Sequence, residues 1–338
     1  MKNQKMIVVT GATGFIGSNL LYALESKGYT NIVGIDNFGT GEKWKNVAKR
    51  SCVFFVLPDQ MKDYLDIHTQ DISAIIHLGG ISTTTETNVD EIVRTNIQLS
   101  IYLYEYCKKY DIQFIYASSA ATYGYSVNDW DSFEDHQDID SLRELKPMNA
   151  YGWSKNSIDK YIVLDRAGKE NKNQVVGLKF FNVYGPNEYH KGEQKSVVAK
   201  FYEQYQKYGK AKLFKFNKST RMMMEKRSPR RDFVYVDDCT DVMMWLLEHK
   251  EINGLYNVGT GVARTFQDVA YNVAKNLEKE PEIEYIEMPE SLIHQYQDYT
   301  CANIDKLRKV GYSGNMTSLE DGVRRYVTSF LNSTDKYK

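Results

Sequence analysis

Gly11-Ala-Thr-Gly14-Phe-Ile-Gly17 stands directly between a short apolar run, MIVVT from Met6, and an amphipathic stretch, FIGSNLLYALESKG. A glycine-rich turn in that position constrains the fold more than any other feature of the chain. Missing side chains let the backbone approach a pyrophosphate closely, and the start of the following helix offers N–H groups and a favourable dipole. Glycine-rich loops are common, so the flanking strand and helix carry the inference. NIVGID, SAIIHLGG, QFIYASS and QVVGLKFF follow, apolar without alternation and separated by helical stretches. Runs of that kind belong to strands covered on both faces. The sequence therefore predicts an α/β fold with a doubly wound parallel Rossmann sheet. NIVGID closes on Asp36, about where an acid meets the adenosine ribose of a bound dinucleotide. Asp favours a free 2′-hydroxyl and so NAD, whereas Asn37 and Lys43 nearby suit the 2′-phosphate of NADP.

The second half is less regular. Around 183–230 and 263–290 the pattern shifts to turns, short strands and helices, and LYNVGT (Leu255–Thr260) returns as a sheet strand. We expect a smaller, discontinuous C-terminal substrate domain made of 183–230, 263–291 and 312–338. Residues 1–182, 231–262 and 292–311 then form the dinucleotide-binding domain, and a chain of 338 residues is long enough for both. One segment, KFNKSTRMMMEKRSPRR, sets Lys215, Lys218, Arg221, Lys226, Arg227, Arg230 and Arg231 against Glu225. It reads either as a solvated surface loop or as a clamp for a diphosphate or a partner.

Lys plus Arg number 43 against 44 for Asp plus Glu, so no overall field draws the chain to nucleic acid or to a membrane. Cys52, Cys107, Cys239 and Cys301 are scattered, without C-x-x-C or histidines at metal spacing, which predicts free thiols and no metal site. No segment reaches the roughly 20 apolar residues of a membrane span, and no signal-peptide pattern precedes the first strand. A cytoplasmic protein is the expectation.

Ser118 and Ser119 end the strand QFIYASS, and Tyr151 and Lys155 form Y-x-x-x-K in NAYGWSK. Residues four apart share a helix face, so Tyr and Lys can point into one cleft. A phenol titrates near 10, and a nearby cation favours its ionised form. A serine hydroxyl can hold a reacting oxygen for proton transfer to such a tyrosine. Y-x-x-x-K alone is weak, but here it follows the glycine turn and the serine strand end in order.

TGATGFIG, YASSAATYG, NAYGWSK, FFNVYGPNEYHKG and RDFVYVDD together resemble the extended short-chain dehydrogenase/reductases. Within that family they are most similar to the ADP-L-glycero-D-manno-heptose 6-epimerases, over nearly the whole chain. The resemblance implies an NAD(P)-dependent isomerase of a nucleotide-diphosphate sugar, with NADP the expected cofactor and NAD possible. It implies cofactor contacts from Gly11, Gly14, Phe15, Ile16, Gly17, Asp36, Asn37, Lys43, Lys62, Leu78, Gly79, Asn96 and Val183, with Tyr151, Lys155 and Lys191 also beside the cofactor. Ser119 would be the catalytic serine, Tyr151 the first base, and Lys155 the holder of the nicotinamide ribose that lowers the Tyr151 pKa. Lys191 would be the second acid/base. Ser82, Ser119, Asn182, Glu193, Lys200, Phe214, Arg231 and Tyr296 would meet the sugar nucleotide. A homo-oligomer, in these epimerases a pentamer, is also implied.

Departures from the family pattern gather on the substrate side. LFKFN (Leu213–Asn217) replaces LFEGS, Glu193 stands where the family has Ser, and Lys200 where it has His. The reaction type is thus better specified than the nucleotide or the sugar. A 4,6-dehydratase needs an acid–base pair after the serine, and Ala120-Ala121 cannot transfer protons. A 4-epimerase would use the same Ser, Tyr and Lys. A dinucleotide-sensing protein without catalysis would be expected to lose Tyr or Lys, and both are present.

Overall fold

The computed structural model describes residues 5–124, 132–170, 172–215, 228–289 and 297–338. Its strands are β1 (Met6–Thr10), β2 (Ile32–Ile35), β3 (Val53–Val56), β4 (Ile72–His77), β5 (Gln113–Ser119) and β6 (Val175–Phe180). Then come β7 (Asn182–Tyr184), β8 (Ala211–Phe214), β9 (Arg230–Tyr235), β10 (Gly254–Val258), β11 (Ala263–Thr265) and β12 (Ile283–Ile286). Seven of these form one sheet in the order β10-β6-β5-β4-β1-β2-β3, with every neighbouring pair parallel. The expected doubly wound sheet is present, with LYNVGT supplying its β10 edge.

Side chains alternate across a strand, so each apolar run feeds two cores. Ile7, Val9, Ile76, Ile115 and Leu178 pack on one face, and Val8, Ile75, Phe114 and Val175 on the other. The helix Phe15–Ser26 lays fully buried Leu20, Leu21 and Leu24 on the first face. Each such leucine is worth roughly 1.5–3 kcal/mol relative to leaving it exposed. The helix Leu99–Tyr110 covers the second face through Leu103, Tyr104 and Cys107. The chain therefore leaves β1 toward one face and β4 toward the other. Between those adjacent strands, at their C-terminal ends, open α/β sheets form their ligand crevice.

A third core gathers Tyr184, Val198, Phe201 and Tyr205 with Val269, Val273, Leu319, Val323 and Tyr326. Two smaller sheets border it, β11-β9-β7 and β12-β8. Strand β9 serves two cores at once: Val234 faces the first, Phe233 and Tyr235 the third. Between them Asp232, fully buried, accepts from the N–H groups of Thr260, Gly261 and Ala302 and from the Thr260 hydroxyl. One carboxylate thus ties three distant segments of the chain. All four cysteines are free thiols, with Cys107, Cys239 and Cys301 buried. Among the described residues no helix is long and apolar enough to cross a membrane.

Candidate active site

The glycine turn leaves β1 at Gly11, whose φ is +67°. A Cβ there would come within 2.6 Å of the Gly79 nitrogen, so only glycine lets the loop after β4 pass this close. No side chain caps the helix that starts after Gly14, which leaves its first N–H groups available to an anion. Gly11, Gly14, Phe15, Ile16 and Gly17 line a cavity of about 610 Å³.

Asp36, Lys43 and His190 also line this cavity. The Asp36 carboxylate is already engaged by the protein. One oxygen accepts from the Thr13 N–H at 2.9 Å and the Thr13 hydroxyl at 2.7 Å. The other accepts from the Asn37 N–H at 2.7 Å and the Lys43 ammonium at 2.9 Å. His190 meets Asn46 at 3.0 Å, and the Asn46 amide donates to the Thr13 carbonyl at 2.9 Å. Burial, then the neighbouring Lys43 and Lys191, push His190 down to about 4.

Ser119, Tyr151, Lys155 and Lys191 line the same cavity, with Leu78, Gly79, Ser82, Asn182 and Val183. Tyr151 and Lys155 sit on the helix Ala150–Arg166, which Asn149 caps by accepting from the Gly152 N–H at 2.8 Å. A Cβ at Gly152 would lie 2.5 Å from the Ala121 carbonyl oxygen, so this glycine lets the helix close on the end of β5. Ser119 is thereby brought to Tyr151. Its hydroxyl accepts from the Ala121 N–H at 3.1 Å and lies in hydrogen-bond reach of the phenol.

The electrostatics differ from the sequence expectation. Tyr151 lies above its ordinary value, chiefly through burial; Ser119 opposes the rise and the Asp159 charge adds to it. The same burial brings Lys155 down to about 8, against the pull of Asp159. Lys155 therefore does not lower the phenol in this state, because desolvation dominates and the carboxylate one turn on disfavours phenolate. Lys191 is also below its ordinary value through burial, opposed by Glu188, and its ammonium lies 5.4 Å from the centre of the Phe15 ring.

Several expected contacts stand off the cavity wall. Asn96 is fully buried behind it: its amide donates to the Ile81 carbonyl at 2.9 Å and to Ser154 at 3.0 Å, and its oxygen accepts from the Ile81 N–H at 2.8 Å. It pins the loop that lines the cavity. Lys62 instead covers the Tyr102 ring at 4.9 Å. Asn37 is exposed and meets Lys43 through its carbonyl at 2.8 Å. Arg231 is buried, 5.9 Å from the centre of the Phe266 ring, and Phe266 is itself a wall residue. Glu193, Lys200 and Phe214 line an adjoining cavity of about 360 Å³ that shares Val197 and Phe266 with the first. Tyr296 and residues 216–227 of the basic segment lie outside the described residues. Sequence reasoning missed Thr13, Asn46 and His190, whose roles arise from contacts between distant segments.

A family model described as the NAD dependent epimerase/dehydratase family matches residues 7–259. An ADP-L-glycero-D-manno-heptose-6-epimerase of Nitratidesulfovibrio vulgaris is 42% identical over 335 residues, covering 98% of this chain and 100% of the relative. The crystal structure of the Helicobacter pylori ADP-L-glycero-D-manno-heptose-6-epimerase matches with a TM-score of 0.78 and 25% identity, over 97% of this chain and 96% of that one. A Thermus thermophilus UDP-glucose 4-epimerase solved with NAD shares the fold, with a TM-score of 0.74 and 24% identity over 95% and 97% of the two chains.

Proposed function

The chain belongs to the NAD dependent epimerase/dehydratase family, and from that premise we propose that it inverts C6 of an ADP-linked glycero-manno-heptose. The reaction is oxidation to the C6 ketone followed by re-reduction from the opposite face, with no net redox change. The observation that carries this reading is the gathering of Ser119, Tyr151, Lys155 and Lys191 on the cavity that the glycine turn also lines. Relatives named for that activity cover nearly the full chain and support the substrate.

The cavity fits a nicotinamide dinucleotide: an uncapped helix start for a pyrophosphate, and the Lys155 ammonium for a ribose. When bound, that cofactor accepts the substrate hydride and returns it. Asp36 is engaged by Thr13, Asn37 and Lys43, so the cavity wall here carries the Asp36-paired Lys43 ammonium and the His190 imidazole beside a carboxylate whose oxygens are already taken. That arrangement supports NADP as the cofactor.

The Ser119 hydroxyl accepts from the backbone, so its own proton can be directed at the reacting oxygen. Tyr151 takes the carbinol proton in one pose of the sugar. Lys155 is cationic below about 8, and its charge favours phenolate once a bound substrate completes the site. In the other pose the carbinol oxygen lies elsewhere, and Lys191 serves it. The second cavity, with Phe214 and Tyr285 on its wall, offers apolar faces for a nucleotide base.

The test is ADP-D-glycero-D-manno-heptose incubated with protein charged with NADP or NAD, followed at C6 by NMR. Inversion at C6 is expected, and faster with NADP. Lys43→Ala is expected to erase most of that preference, about tenfold for one partly exposed charge–phosphate contact. Inversion of UDP-hexoses at C4, with the heptose untouched, would overturn the substrate assignment.

A further inference from the structure

Beneath the reacting groups lies a buried ionic layer that the mechanism above does not use. Asp159 and Lys179 are both fully buried and pair at 2.7 Å. Asp159 is one turn past Lys155 on the Tyr151 helix, and Lys179 interrupts the otherwise apolar strand β6. The Asp159 carboxylate also accepts from the Ser118 hydroxyl at 2.7 Å and the Tyr116 hydroxyl at 3.0 Å. Lys179 donates to the Thr122 hydroxyl at 2.8 Å, and that hydroxyl donates to the Ser119 carbonyl at 2.8 Å. One ion pair therefore reaches Ser119 twice, at its carbonyl through Thr122 and through its chain neighbour Ser118.

Stability alone is a poor account of this arrangement. Desolvating two charges is costly, and apolar replacements of similar volume are often as stable as the ion pair or more so. We propose that Asp159–Lys179 is a positioning pair for proton transfer: it holds Ser119 through Ser118 and Thr122, and it keeps a fixed negative charge one turn from Lys155. The proposal rests on the reading of Ser119, Tyr151 and Lys155 as reacting groups.

The titratable groups around Lys155 and its ion-pair neighbours leave Asp159 as the source of that field. His77 on β4 is kept neutral by burial, at about 3. Tyr116 on β5 and Tyr123 beyond it are held far above their ordinary values, so both stay protonated. Lys179 pairs with the Asp159 carboxylate at 2.7 Å and is not among the charges that act on Lys155. Asp159 opposes the loss of the Lys155 proton and raises the Tyr151 phenol. Removing its charge moves both groups down, so both limbs of the pH–rate profile move to lower pH.

Asp159→Asn combined with Lys179→Met removes both charges, leaving neither buried alone. Asp159, and not Lys179, is among the charges that act on Lys155, so the downward shift persists. We expect an unfolding temperature near that of the parent and unchanged cofactor affinity. With these, kcat falls about 10- to 100-fold and the alkaline limb moves down by about one pH unit. Lys179→Arg, which keeps the pair, should restore most of the rate and the parent profile. Should the double variant not fold, Ser118→Ala with Thr122→Val cuts the links to Ser119 and keeps the pair; kcat should drop about tenfold at constant KM. Parent kcat and pH limbs in a folded variant of either kind overturn the proposal. So does a rate loss with unmoved limbs and a lowered unfolding temperature in the double variant, the mark of a merely structural pair. Tyr151→Phe run in parallel separates the two readings. Full turnover there sinks the assignment of the reacting groups, whereas an inactive Tyr151→Phe beside a parent-like double variant sinks only the positioning role.

Discussion

Replacing Tyr151 by Phe is expected to lower epimerisation by about 10²- to 10⁴-fold, the range for loss of a positioned general acid–base. Dinucleotide affinity should stay within a few-fold of the parent, because the ring remains and only the hydroxyl is lost. The phenol lies on the cavity wall within reach of Ser119, and Lys155 follows it by one turn. In the proposed mechanism Lys155 does not replace it as a base, because its ammonium is assigned to the ribose. In the parent, turnover should decline above about 8 as Lys155 loses its proton. Stopped-flow measurement of cofactor reduction on adding substrate checks the variant at the hydride step. Rapid reduction from both pure C6 epimers in Tyr151→Phe would place the first base elsewhere.

Lys191→Met is expected to produce the other large effect, with a different signature. Met keeps the length and apolar bulk that lie over Phe15, so the loop after β7 should keep its shape. The variant lacks a proton carrier for one pose only. Oxidation of one epimer should persist through Tyr151 while exchange with the other falls about 10²- to 10⁴-fold. Burial lowers the parent lysine from its ordinary value, against the opposing Glu188 charge, which eases release of its proton. Comparing cofactor reduction from each pure C6 epimer reads the asymmetry. Equal loss from both epimers, or loss of dinucleotide binding, would contradict a second-base role.

The parts of the molecule that were legible in the sequence are those set by local rules. The glycine turn lies between a strand and a helix that are its immediate neighbours in the chain. Continuous apolar runs identify buried parallel strands because both faces are covered. Tyr151 and Lys155 share a helix face by spacing alone, and Ser119 ends the strand against which that helix packs.

What stayed hidden depends on tertiary contacts. Asp36 looked like an acid waiting for a ribose, but Thr13 and Lys43 fold onto it and take its oxygens. Asn96 is near the cofactor cavity, yet it is spent on bracing Ile81 and Ser154. The rise in Tyr151 follows from burial, which spacing does not reveal. The Asp159–Lys179 pair did leave a signal: a lysine inside QVVGLKFF demands a buried partner, and Asp159 continues the helix face of Tyr151 and Lys155.

Inversion by transient oxidation at C6 returns the same hydride to that carbon. It is tested most directly by converting ADP-D-glycero-D-manno-heptose in deuterium oxide and reading C6 by NMR. Inversion at C6 is expected with protium retained there and no net accumulation of reduced cofactor. Deuterium incorporated at C6 would mean that a carbon-bound proton exchanges with solvent, and would contradict hydride transfer as the route of inversion.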